Sequence, residues 1–246
     1  MDRFGSDKPD TRFAMELTDA CDIFRESGFK VFREAVDKGG VVKALNAKRF
    51  ACVTTGQIER LTELAKRHGA KGLAFIKVEG GEWKSPIVKF FSDAEKKALV
   101  ERLKIEEGDL VLFGADKWSV VCEVLGRIRL EVAAMQKLTD GAKELNFLWV
   151  LDFPLLDYSA EERKWNAVHH PFTRPKAEDI SLLEKGEYEK VRAEAYDVVL
   201  NGVEIGGGSI RIHEPELQAK MFGILGVGPE DQEAMFGHII KALGFG

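Results

Sequence analysis

No apolar run in this chain approaches the roughly twenty residues of a membrane span. The opening MDRFGSDKPD has none of the features of a secretory leader. Cysteine is scarce: Cys21, Cys52 and Cys122 are the only three, and none sits in a C-x-x-C pair. That spacing excludes a structural zinc site and a disulfide framework and suits a reducing, cytoplasmic setting, with all three expected as small buried residues. A basic excess is also missing. Lys and Arg number 36 against 41 Asp and Glu, for a net charge of -5, so the chain as a whole has no electrostatic footprint for nucleic acid. Any RNA contact has to come from a local patch, and the strip Arg60, Lys66, Arg67 and Lys71 is the candidate, with solvated helix charge as the plainer reading. Extreme polarity is absent too: at 45% hydrophobic and 31% charged, the 246 residues are globular in composition and sufficient for two ordinary domains.

What is present reads as an α+β protein. Residues 1–21 begin with a turn-rich, charged stretch, GSDKPDTRF, that has no core of its own and is expected to join a domain whose body lies elsewhere in the chain. Residues 22–137 read as one α+β unit. Val41–Ala47 is a β-branched run, Gly72–Val78 a buried strand, and Ile87–Phe91 and Asp109–Phe113 further strands. Thr54-x-x-Gln57 and Ser92-x-x-Glu95 are capping boxes, the first opening a helix that ends at His68-Gly69. A long helix over Lys117–Met135 closes the unit. No His–acid pair and no nucleophile beside a base occurs here. Residues 138–246 form a third segment. It opens with Phe147–Leu156, an apolar run expected at the centre of a large sheet, covered on both faces. Asp152 within it is either a buried polar anchor or a site residue, and the anchor is the favoured reading. Two helices, from Glu214-Pro215 and from Pro229, follow the last strands. The second should pack Ala234, Met235, His238, Ile239 and Leu243 on one side.

The most informative stretch is Tyr196–His213, YDVVLNGVEIGGGSIRIH. Asn201-Gly202 predicts a two-residue primed turn, because both central positions need φ > 0. That turn sets Val199 opposite Glu204 and, in a regular ladder, Asp197 opposite Gly206, so both acids fall on one face. Arg211 lies an odd number of residues beyond Glu204 and would face the other way. A bulge within Gly206–Gly208 would restore it to the acids' side. Ile205, Ile210 and Ile212 would then pack behind. Two acids can hold a hard cation such as Mg²⁺ against phosphate, and a guanidinium can grip a carboxylate through two parallel hydrogen bonds. Bare glycine backbone admits close approach. The competing reading is an edge hairpin with solvated charges. In His169-His170-Pro171-Phe172-Thr173 the adjacent histidines point to opposite sides and do not share a metal. His169 is the one to expect near a site and His170 the structural one; two polar loop residues is the alternative.

These segments also carry a resemblance. GSDKPDTR (Gly5–Arg12), Phe153-Pro154 after a Trp-containing strand, HHPFT (His169–Thr173) and NGVEIGGGSIRIH (Asn201–His213) occur in this order in bacterial-type aspartyl-tRNA synthetases, class II enzymes. GLAFIKV and FGAD resemble the insertion (GAD) domain those enzymes share with the B subunit of glutamyl-tRNA amidotransferases. The resemblance implies an antiparallel catalytic sheet flanked by helices, and an aspartate–tRNA ligase acting on L-aspartate, ATP and tRNA(Asp), with Mg²⁺ and as a homodimer. It implies that Arg211 binds the aspartate side-chain carboxylate, that His169 lies beside that amino acid, and that Glu204, helped by Asp197, holds Mg²⁺ and ATP. Gly206, Gly207 and Gly208 would floor the site, with Ser209 and His170 in support. It further implies that the chain is an excised piece, with Met1 internal to a longer parent. The anticodon-binding barrel and the three class II motifs are not among its residues. Such a piece is expected to bind its substrates weakly and to form no adenylate. A non-catalytic tRNA-binding module, like the amidotransferase relative, is the alternative.

Overall fold

The computed structural model describes residues 1–243. They fall into two units, Met1–Asn146 and Phe147 onward.

The first unit is an antiparallel sheet with helices on both faces. Its elements are β1 (Thr18–Asp19), α1 (Cys21–Phe24), α2 (Lys30–Asp37), β2 (Val41–Ala47), α3 (Thr55–Arg67), β3 (Ala74–Glu79), β4 (Glu82–Lys84), α4 (Asp93–Leu103), β5 (Leu110–Asp116) and α5 (Trp118–Met135). The strand order is β1-β2-β5-β3-β4. β2 and β5 are central and apolar on both sides, and period-two alternation divides their side chains between two cores. Leu45, Ala47, Leu110 and Leu112 meet α3 and α5 on one face. Val42, Ala44, Val111 and Phe113 meet Phe24, Phe32 and Leu99 on the other. Both capping boxes form: the Gln57 N–H donates to Thr54 Oγ1 and the Glu95 N–H to Ser92 Oγ. Asp109 is fully buried yet satisfied, accepting from the Arg49 and Glu106 N–H groups and from Asn46 Nδ2.

Several expectations need correction here. Residues 1–21 pack into this first unit. Phe13, Met15 and Leu17 join its core, and β1 pairs with β2. The anchor is Arg129 of α5, itself fully buried. Its guanidinium donates to the carbonyls of Asp10, Phe13, Ala14 and Met15 at 2.8–3.0 Å and lies 4.0 Å from the Phe13 ring centroid. Gly5 crosses α5 at Gly126 so closely that a Cβ on Gly126 would sit 2.3 Å from the Gly5 carbonyl oxygen. Ile87–Phe91 is not a strand: Val88–Phe90 is a 3₁₀ turn, and Phe90 stacks on Phe29. β4 pairs instead with β3 across a Gly80-Gly81 turn, both glycines at positive φ. The basic strip is partly spent internally, with Arg60 on Glu131 and Lys66 on Glu63. Only Cys122 of the three cysteines is buried; Cys21 is half-buried and Cys52 exposed.

The second unit holds β6 (Phe147–Val150), β7 (Leu156–Ser159), β8 (Lys164–Ala167), α6 (Ile180–Lys185), β9 (Ala195–Leu200), β10 (Val203–Ser209), α7 (Pro215–Leu225) and α8 (Pro229–Leu243). Its main sheet runs β10-β9-β6, and β7-β8 form a separate hairpin. β6 is four residues long and, among the described residues, an edge strand, with Phe147 60% and Trp149 64% exposed. The expected central strand is therefore cut short. Asp152 adopts φ 60° and ends the extended run, and its exposed carboxylate pairs with Lys176 and Arg192. It is an anchor at the surface, not in the interior. Leu155, Leu156, Leu183, Val191, Ala193, Ala195, Ile212 and Met221 form this unit's core. On α8 it is Phe236 that packs, against Phe172 and Phe222, while Met235 and His238 are exposed. The side chain of Leu243 and residues 244–246 lie outside the described residues. No helix among the described residues is long and apolar enough to cross a membrane.

Candidate functional site

Asn201 and Gly202 take φ values of 52° and 85°, the primed turn their pairing demands. From that turn Val203 pairs with Leu200 and Glu204 with Val199. The register then slips. Ile205 has no partner, Gly206 pairs with Val198, and Gly207, not Gly206, stands opposite Asp197. The bulge therefore falls one residue before the glycines, at a side chain that is 51% exposed. Its geometric effect is a change of parity along β10. Glu204 and Gly207 are three residues apart yet both face the side of Asp197, and alternation carries Ser209 and Arg211 onto that side too.

Two further contacts support this parity. Thr173 forms a β-bridge with Arg211, and its Oγ1 lies 3.4 Å from Ser209 Oγ. A Cβ built on Gly207 would lie 2.2 Å from Asp197 Oδ1, so the carboxylate occupies the space a side chain there would fill. Gly208 does the same for the opposite face, where a Cβ would lie 2.8 Å from the Tyr196 hydroxyl. Tyr196 and Trp149 stack edge-on there, 5.9 Å between centroids. Gly206 has no such neighbour: its added Cβ would meet only Val198 Cγ1, at 3.7 Å. The glycine run thus makes room for this chain's own Asp197 and Tyr196. Of the three isoleucines expected behind the site only Ile212 is buried, while Ile205 and Ile210 are 51% and 48% exposed. The Ile210 N–H and C=O bond Glu194 and Arg174 where β10 leaves β9.

Arg211 is exposed and, among the described residues, makes no hydrogen bond or ion pair. Its neighbours differ. Arg174 donates to Glu214 at 2.9 Å, and Arg192 grips Asp179 through Nε at 2.8 Å and Nη2 at 2.9 Å. A fork-shaped cation with no ion pair among the described residues is available to a ligand.

The two histidines lie in different surroundings. His169 is exposed and lies edge-on to Phe153, 4.7 Å between centroids. His170 is half-buried, and its Nδ1 accepts the Phe172 N–H at 3.3 Å. Burial, and then the charge of Arg211, hold the His170 pKa below the ordinary histidine value. An Nδ1 that accepts leaves the neutral ring with its proton on Nε2. The sequence also gave no reason to single out Thr173, Tyr196 or the Arg174–Glu214 pair. The final residue of HHPFT was the available sign.

Among the described residues no group of three or more His, Cys, Asp or Glu could enclose a metal. Asp197 and Glu204 are diagonal neighbours on one face, which fits a cation that keeps several waters and takes its other ligands from phosphate. Mg²⁺ binds in that manner.

Residues 32–125 match the GAD domain family. Over its whole length the chain is 53% identical to an aspartate–tRNA(Asp/Asn) ligase of Methylacidiphilum infernorum, covering 41% of that protein. It is likewise 53% identical to one of Opitutus terrae, covering 42%, and 52% identical to one of Caldanaerobacter subterraneus subsp. tengcongensis, covering 41%. The resemblance read from the motifs therefore holds from end to end, and the chain spans about two-fifths of the length of these relatives.

Proposed function

We propose that this chain supplies the aspartate-, metal- and ATP-facing hairpin of an aspartate–tRNA ligase, a cytoplasmic class II aminoacyl-tRNA synthetase, together with its insertion domain. The observation that carries the reading is the bulge at Ile205, which sets Asp197, Glu204 and the unspent guanidinium of Arg211 on one face. Whole-length similarity to ligases of that name supports it.

In this reading Arg211 takes the side-chain carboxylate of L-aspartate in a bidentate grip, which selects the acid over an amide. Glu204, with Asp197, would hold Mg²⁺, which when bound would supply neutralisation of the phosphate charge of ATP. Gly207 keeps the Asp197 carboxylate in position. His169, exposed, lies beside the bound amino acid, and His170, half-buried and accepting the Phe172 N–H, supports that loop. The α-carboxylate of aspartate then attacks the α-phosphorus, pyrophosphate leaves, and the aspartyl group passes to the terminal ribose of tRNA(Asp). The protein's part is positioning and charge stabilisation.

The test uses a chimera in which this chain replaces the aligned segment of one of its relatives, assayed by aspartate-dependent ATP–pyrophosphate exchange. Arg211→Lys is expected to raise the aspartate KM about 100-fold or more, as loss of a bidentate charged pair does, with the ATP KM within about twofold of the parent. A change confined to the ATP KM would remove Arg211 from the carboxylate grip.

A further inference from the structure

The first unit contains a cleft of about 690 Å³ that the synthetase reading does not use. It opens where the sheet splits. β3 pairs with β5 only as far as Ala74 opposite Phe113, whereas β5 continues beside β2 to Asp116 opposite Val41. Past Phe113, the β3 side of β5 has no strand. The ladder alternation that bonds the Val78 N–H to the Asp109 carbonyl turns the N–H and C=O of Ala115 toward that gap. Apolar walls reach it from both cores: Phe29 and Phe32 from one side of the sheet, Val120 and Val124 from the other, with Leu73 at the fork. Val31 lines it while 58% exposed.

The rim is charged and unevenly paired. Lys38 is held by Glu34 at 3.1 Å, and Asp116 accepts the Lys117 N–H at 2.8 Å. The side chains of Lys71 and Lys117, which also line the cleft, make no ion pair among the described residues. The volume lies within the range of small-molecule sites, and the apolar interior with a few polar groups is their usual composition.

We infer that this cleft binds a small amphipathic organic anion, its apolar body seated between Phe29, Phe32, Leu73, Val120 and Val124 and its single acidic head at Lys71 and Lys117. The inference is independent of the proposed synthetase role, since every residue it uses lies in the first unit.

The probe is 1-naphthylacetate, titrated into the ¹⁵N-labelled chain and followed by amide chemical shifts, with neutral 1-naphthylethanol as its counterpart. Saturable shifts are expected at Gly72, Gly114 and Ala115, with a Kd below about 1 mM. The alcohol should bind at least about fivefold more weakly, and the Lys71→Gln, Lys117→Gln double variant should bind acid and alcohol alike. Gly72→Phe, at a position where an added Cβ meets nothing within 4 Å, should fold normally and lose the shifts. Absence of saturable shifts at these amides up to about 10 mM acid would overturn the proposal. So would equal binding of acid and alcohol by the unmodified chain.

Discussion

The three consecutive glycines are not equivalent, and substitution separates them. Gly206→Ala meets only ordinary contact and should change little. Gly207→Ala puts a methyl 2.2 Å from Asp197 Oδ1, and the flexible carboxylate must swing away. Its expected signature is a stability change of about 1 kcal/mol or less, with a marked rise in the Mg²⁺ requirement of the chimera's exchange reaction. A Gly207→Ala protein with an unaltered Mg²⁺ requirement would detach Asp197 from the metal. His170 makes a prediction in pH. Its folded pKa lies below its ordinary value of 6.5, so the unfolded chain takes up the proton first. The stability it contributes is complete above about pH 6.5 and is lost as pH falls toward the folded value. Urea unfolding across pH 5–8 should show that slope, and His170→Gln should flatten it. At this scale the sequence was half legible. That Asp197 and Glu204 share a face follows from the turn. Which residue bulges does not, because glycine only permits a bulge, while ladder bonds on either side decide where it falls. Which of His169 and His170 is half-buried depends on the path of the loop through Pro171, which letters do not record.

At the level of elements, local rules served well and tertiary rules did not. Both capping boxes, the primed turn and the helix after Lys117 formed where expected, because each is decided within a few residues. Ser92→Ala should cost about 1 kcal/mol in urea unfolding, the usual worth of such a cap. The strands expected at Ile87–Phe91 and through Leu151–Leu156 failed for tertiary reasons. The first run packs Phe90 on Phe29 in a 3₁₀ turn; the second is broken at Asp152, an αL residue, beyond which Pro154 bridges Arg192 on a different segment. Residues 1–21 were misplaced because their anchor, Arg129, lies more than a hundred residues away and looks like ordinary helix surface in sequence. Burial pushes its pKa down to about 10, still well charged at neutrality. Arg129→Met would strand four carbonyls and should destabilise the first unit by at least about 3 kcal/mol. Hydrogen exchange should show the loss of protection beginning in residues 10–17. Uniform loss across the unit, with no lead by that segment, would mean the guanidinium does not specifically hold it.

For the molecule as a whole, the division into two units follows from where buried apolar residues gather. Two of the three core clusters draw only on residues before 147, and the third only on residues after it. Residues 1–146 expressed alone should therefore unfold cooperatively, with a Tm within about 4 °C of the corresponding transition in the full chain. The functional account, in contrast, depends on the second unit and on one register. A regular ladder would place Asp197 opposite Gly206 and send Arg211 to the face away from both acids. The bulged ladder places Asp197 opposite Gly207 and, with the Thr173 bridge to Arg211, keeps all three on one face. Cross-strand nuclear Overhauser effects in the labelled chain decide between them. The account predicts contacts from Asp197 to Gly207 and from Val198 to Gly206, with Ile205 unpaired; contacts from Asp197 to Gly206 would contradict it.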